Sequence, residues 1–144
     1  MKKIGIGGDH AGFEYKQMVI EVLNKLGHEV TDFGPDSEES ADYPDFVHPL
    51  AKAVEDKKVD LGIAICGSGN GVCMTVNKHQ GVRGALTWNV NLAKLARQHN
   101  DANIVCIPAR FIDFDTAQQI VETFINTDFE GGRHSRRVEK IACS

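Results

Sequence analysis

Short unbroken apolar runs alternate with stretches in which apolar residues recur every three or four positions, and this alternation predicts strands separated by helices. Lys3-Ile4-Gly5-Ile6-Gly7-Gly8 is a first strand that ends in a glycine turn. From Phe13 to Leu26 the apolar residues fall at 15, 18, 19, 22, 23 and 26, a helical stripe that Gly27 closes. A second strand covers His28 to Phe33, a polar loop passes through Asp36-Ser37-Glu38-Glu39-Ser40, and a second helix from Pro44 to Asp56 turns Val47, Leu50, Ala51 and Val54 inward. Leu61 to Cys66 is a third strand, followed by a helix from about Gly71 to His79. Gly84 to Thr87 is the fourth strand, and Asn91 to Gln98 is a helix with Leu92, Leu95 and Ala96 inward. Ile104 to Ile107 is the fifth strand, Phe114 to Ile125 another amphipathic helix, and a short basic helix ends the chain.

Strands that are apolar throughout and separated by helices belong in a parallel sheet covered on both faces, because each crossover helix must lie on one face. The expectation is therefore an α/β chain in three layers, with five parallel strands and one core over residues 1–144. Strand order stays open. The loops after the strands, near Asp9-His10, Cys66 to Gly71 and Arg110, should gather on the sheet's C-terminal edge, where such sheets hold ligands.

Composition narrows the function classes. A net charge of −4 with 42% hydrophobic and 25% charged residues argues against a general nucleic-acid or anionic-membrane binder. Positive charge is concentrated locally, where Arg133, His134, Arg136, Arg137 and Lys140 crowd together. The apolar run after Met1-Lys2-Lys3 is too short for a signal peptide and no stretch is long enough to span a bilayer, so the cytoplasm is expected. Cysteines at 66, 73, 106 and 143 lack the close pairs of a zinc site and are expected to be reduced thiols.

The chemistry concentrates in Cys66-Gly67-Ser68-Gly69-Asn70-Gly71, where a thiol meets a glycine-rich turn between a strand and a helix. Backbone N–H groups at such a turn can face an anion, and they favour thiolate over thiol. The segment lacks the lysine and hydroxyl of a phosphate-binding P-loop, and position 72 is Val72 where a thiol phosphatase needs arginine. Gly5-Ile6-Gly7-Gly8 is only an approximate dinucleotide fingerprint. Cys73, Cys106 and Cys143 read as small packed residues, and His28, His48 and His79 as surface or packing residues. His99 ends a helix, where an imidazole can simply complement the dipole. Arg133 and Arg137 lie four apart and share one helix face as a fork suited to phosphate, with Val138 and Ile141 free to dock another face.

Together Gly8-Asp9-His10-Ala11-Gly12, Asp42-Tyr43-Pro44, the Cys66 to Gly71 turn with Asn77-Lys78, Arg97-Gln98-His99-Asn100-Asp101, and Gly131-Gly132-Arg133-His134 with Arg137-Val138 resemble the ribose-5-phosphate isomerase type B family. The resemblance spans nearly the whole chain. It implies a Rossmann-like five-stranded sheet and an aldose–ketose isomerase without cofactor or metal, working as a homodimer or a dimer of dimers. It also implies that Cys66 is the base moving a proton between the first two sugar carbons, and that His99 is the acid that opens the ring. Another branch of the family uses a glutamate where this chain has Val72, so the resemblance is to the cysteine branch. Asp9, His10, Gly67, Ser68, Gly69, Asn70, Gly71, Asn100, Arg110, Arg133 and Arg137 match ligand-binding positions, and Tyr43 lines the site. A neighbouring subunit completes the site in the family, so a lone chain is expected to be inactive. The implied reaction interconverts ribose 5-phosphate and ribulose 5-phosphate. Its rivals are a six-carbon aldose phosphate, a catalytically silent sugar-phosphate or nucleotide sensor, and more distantly a thiol acyltransferase.

Overall fold

The computed structural model describes residues 1–143. Strands β1 (Lys3–Gly8), β2 (Glu29–Asp32), β3 (Leu61–Cys66), β4 (Gly84–Leu86) and β5 (Ile104–Pro108) form one sheet in the order β2-β1-β3-β5-β4, and every neighbouring pair is parallel. Between them run α1 (Phe13–Lys25), α2 (Tyr43–Glu55), α3 (Asn70–Val76) and α4 (Val90–Asn100), and after them α5 (Phe114–Asn126) and α6 (Arg133–Glu139). The expected α/β architecture is present, with boundaries shifted by a residue or two at most ends. A 3₁₀ turn at His10–Gly12, between β1 and α1, adds an element the apolar pattern does not announce.

Side chains alternate across the sheet with the strand period of two, which splits the core into two layers. Ile4, Ile6, Ile63, Ile65, Val105 and Ile107 face α1, α4 and α5, while Ala64, Cys66, Ile104 and Cys106 face α2 and α3. Cys66 is therefore turned toward α3 by the register of its own strand. Gly5 sits on that second face, where a Cβ would lie 2.7 Å from Leu50 Cδ1, so its bare backbone lets α2 pack close.

Two helices bury different residues from those expected. Leu95 on α4 is 43% exposed and Ala93, two residues earlier, is fully buried in its place. On α1 the buried face is Lys16, Val19 and Leu23, spaced i, i+3 and i+7, whereas Met18 and Leu26 lie outside it. Lys16 is 1% exposed, and its ammonium donates to Asp32 Oδ2 at 2.8 Å and to Gln17 Oε1 at 3.0 Å. The ammonium also stands 5.1 Å from the Phe13 ring centroid. Its pairing with Asp32 at the end of β2 ties α1 to the sheet edge.

The topology gives the molecule two distinct rims. The loops after β1, β3 and β5 meet at one, as Asp9 N–H donating to Ile65 O and Arg110 N–H donating to Gly67 O show. Helices run back against the strands, so α4 and α5 end at the opposite rim. There Arg97 Nη1 donates to Ala102 O at 2.6 Å just before β5, and Lys2 Nζ to Ile125 O at 2.8 Å just before β1.

The buried lysine supplies a stability test. Replacing Lys16 with methionine keeps the packed stem and removes the charge, which should change unfolding free energy by about 1 kcal/mol or less. Asp32→Ala should lose about 2 kcal/mol, below the roughly 3–5 kcal/mol of a sealed ion pair because water reaches Asp32. Urea unfolding of the two variants checks the order, and a larger loss for Lys16→Met would contradict it.

Candidate functional site

At the strand-end rim three loops surround Cys66. The residue is only 4% exposed, yet it lines an open cavity of about 490 Å³ with Asp9, His10, Tyr43, Gly67, Ser68, Gly71 and Arg110. Cys66 is thus largely packed in the core and still contributes to the cavity wall.

Each neighbour is placed by local backbone chemistry. The Asp9 carboxylate accepts the Gly12 N–H at 3.1 Å and caps the 3₁₀ turn. The turn can lie directly on β3 because Gly12 has no side chain, since a Cβ there would come 2.5 Å from Ile65 O. This carboxylate also takes an N–H that a pyrophosphate would need, in keeping with the weak dinucleotide match. His10 Nδ1 accepts the Ala41 N–H at 3.1 Å, so the neutral ring carries its proton on Nε2. Tyr43 opens α2 with its ring over Gly71, where a Cβ would lie 2.5 Å from Cζ. Arg110 lies over Gly67, whose Cβ would meet its Cδ at 3.1 Å.

The glycine turn divides its amides. Gly69 takes the left-handed conformation, φ +76°, and its N–H donates to Cys66 Sγ at 3.2 Å. The Asn70 N–H donates to Ser68 Oγ at 3.2 Å. These two amides are used within the loop, and neither Gly69 nor Asn70 lines the cavity. The short turn uses two of its donors to hold its own sulfur and hydroxyl. The N–H groups of Gly67, Ser68 and Gly71 have no acceptor among the described residues.

The other expected site residues lie elsewhere. His99 and Asn100 end α4 and, with Arg133 and Arg137 on α6, line a second cavity of about 590 Å³ at the helix-end rim. Both cavities contain predicted residues, but no residue lines both. They are separated by the length of β3, roughly 16 Å at the rise of a strand. His99 stacks on His134 with ring centroids 4.3 Å apart and planes 13° from parallel. Glu130 Oε1 approaches His99 Nε2 at 3.6 Å and His134 Nε2 at 3.8 Å. Removal from water, followed by the nearby charges of His99 and Arg133, holds the His134 imidazole below its ordinary pKa. Glu130 carries no motif signal, because its place depends on its N–H reaching Gln98 O across the fold. Ile141 is 54% exposed and does not dock as expected, while Val138 is half-buried.

The remaining thiols differ among themselves. Cys106 is sealed in the core and Cys143 is exposed. Half-buried Cys73 is lowered to about 7, first by a hydrogen bond from Cys106, which outweighs the opposing effect of burial, with Asn77 and Leu86 assisting. Cys106 moves upward as the donor of that pair. Cys73 nevertheless lines neither of the two cavities.

Comparison with known proteins identifies the family. Residues 4–141 match the family described as Ribose/Galactose Isomerase. A ribose 5-phosphate isomerase from Thermotoga maritima superposes with a TM-score of 0.96 at 45% identity, covering 98% of this chain and 97% of that one. Ribose-5-phosphate isomerase B from Mycoplasma genitalium, solved with bound ribulose-5-phosphate, gives a TM-score of 0.93 at 43% identity, covering 96% and 93%. The D-erythrulose-4-phosphate isomerase of Pectobacterium atrosepticum is 37% identical over 98% of this chain and 93% of its own length. Sharing the sheet with these enzymes and aligning with them over almost its full length, the chain belongs to the ribose/galactose isomerase family.

Proposed function

We propose that this protein interconverts ribose 5-phosphate and ribulose 5-phosphate, using Cys66 of one subunit and His99 of a second. The observation that carries the reading is Cys66 lining a cavity beside three amides that have no acceptor among the described residues. An aldose–ketose isomerase needs those two things together, a base for a carbon-bound proton and donors for the oxygen that becomes negative.

The reaction starts from the closed sugar. His99 protonates the ring oxygen as the bond from that oxygen to C1 breaks and the C1 hydroxyl loses its proton, which leaves an open-chain aldehyde. Cys66 thiolate then removes the C2 proton, and the electron pair moves into a cis-enediolate whose oxygens carry the charge. The Gly67, Ser68 and Gly71 amides stabilise that charge, with about 3–4 kcal/mol expected for each well-aimed donor. Returning the proton to C1 while the O2 hydroxyl proton passes to O1 gives the ketose, and the sulfur ends as thiolate again. The Gly69 N–H holds the sulfur in place. Arg133 and Arg137 bind the phosphate as a fork, and that remote binding fixes the carbon chain over the sulfur.

A single chain cannot perform both steps, because Cys66 and His99 stand at opposite rims. A second copy that brings its helix-end rim against the strand-end rim unites them. Each rim has an apolar residue in water that such a contact would cover: Phe111, 75% exposed, at the Cys66 cavity and Ile141, 54% exposed, at the His99 cavity. The product-bound relative from Mycoplasma genitalium supports the five-carbon substrate. Faster turnover of a six-carbon aldose phosphate would change the substrate and leave the chemistry intact.

Cys66→Ala should lower turnover by roughly 10²–10⁴-fold while sugar-phosphate affinity changes little. Full turnover by a folded, substrate-binding Cys66→Ala protein would reject the sulfur as base. His99→Asn should slow ribose 5-phosphate strongly and spare a four-carbon aldose phosphate, which cannot close a furanose ring. Steady-state rates on both substrates decide this, and equal losses would remove the ring-opening role.

A further inference from the structure

We propose that Arg97 is a positioning residue that holds α6, and with it the Arg133 and Arg137 fork, beside His99 and Asn100; its part in the reaction rests on the function proposed above. Helix α6 buries none of its residues, so no packed core fixes its place. Gly131 and Gly132, at φ +69° and +56°, join it to the rest of the chain through a turn. The ties that hold this segment come from α4. Arg97 Nε donates to Thr127 O at 3.0 Å, just past the end of α5, and Gln98 O accepts the Glu130 N–H at 3.1 Å. Two consecutive residues of α4 thus hold both ends of the segment that leads into α6, and His134 of α6 then stacks on His99.

The guanidinium is itself fixed. Nη1 donates to Asp101 Oδ1 at 3.0 Å and to Ala102 O at 2.6 Å, the side chain is only 12% exposed, and Cζ stands 5.7 Å from the Phe124 ring centroid. One planar group therefore joins the end of α4, the entry to β5 and the exit of α5. Asp101, left-handed at φ +46°, stops α4 directly after Asn100. Arg83 grips the same residue, with Nε donating to Asp101 O at 2.8 Å and Nη2 to Oδ2 at 3.4 Å. Arg83 has no hydrogen bond to the Thr127–Glu130 segment among the described residues, which makes it a matched control.

A substrate held at two points needs a fixed separation between them. In the proposed reaction the fork takes the phosphate from α6 and His99 takes the ring oxygen from α4, and a misplacement of about 1 Å can cost about 10²-fold in rate. Lysine at position 97 would keep the charge and most of the stem. Its single ammonium cannot reproduce a planar fork that reaches Thr127 O and Ala102 O at once.

Arg97→Lys and Arg83→Lys in the full-length protein test the proposal. Arg97→Lys should lower kcat on ribose 5-phosphate by roughly 10–100-fold. Inhibition by inorganic phosphate should stay unchanged, because both arginines of the fork lie within one helix. The nuclear Overhauser contact between the His99 and His134 rings should disappear. Arg83→Lys should keep both kcat and that ring contact, whatever stability it loses in urea. Retention of the ring contact in Arg97→Lys, or an equal loss of kcat in Arg83→Lys, overturns the proposal. A lost ring contact with unchanged kcat keeps Arg97 as the tether of α6 and rejects the roles proposed for His99 and the fork. In the wild-type protein the Arg97 Nε proton should exchange slowly with solvent, and rapid exchange would overturn the tether without any variant.

Discussion

Every helix that crosses between parallel strands must run back against them, and this constraint decides where chemistry can occur in the molecule. Residues at strand ends collect at one rim and residues at helix ends at the other. Cys66 is the last residue of β3, and His99 is next to last in α4. No rotamer change brings them together, because the full depth of the sheet lies between. In the proposed reaction the proton-transfer group and the ring-opening group meet only through a second chain, which makes assembly a condition of the proposed catalysis.

Within each rim, precision comes from backbone packing. Gly12 lets the 3₁₀ turn lie against Ile65 O, and the Asp9 carboxylate caps that turn next to the sulfur. Gly71 leaves room for the Tyr43 ring. Gly69 uses its positive φ to aim an amide at Cys66 Sγ. The glycine turn at this cavity thus presents main-chain donors at fixed positions. The other rim works with side chains, where arginines and stacked histidines sit on short helical segments.

The strands were legible because a buried parallel strand is apolar along its whole length, as Leu61 to Cys66 and Ile104 to Ile107 are. Lys16 escaped the same logic. A helical stripe is drawn from apolar letters, and nothing in the local sequence indicates that Asp32 would neutralise an ammonium on the inner face. Leu95 misled for the opposite reason: it fits the apolar period, but the small Ala93 and Ala96 are what allow α4 to approach the sheet. The site motifs stood out because thiol, glycine turn and paired arginines each have a chemical signature. Their division between two rims depends on strand order and crossover direction, which no local motif records. Glu130 was invisible because only the tertiary bond to Gln98 O places it beside the imidazoles.

Mixing two inactive chains tests the shared site most directly. Cys66→Ala and His99→Asn proteins, each folded and each inactive on ribose 5-phosphate, are unfolded together, refolded at equal concentration and assayed. In a mixed dimer one of the two sites receives both defects and the other receives neither, so activity should return to about a quarter of the wild-type value. If both residues acted within one chain, every site in every mixture would remain defective. Activity no higher than the separate variants would contradict the account.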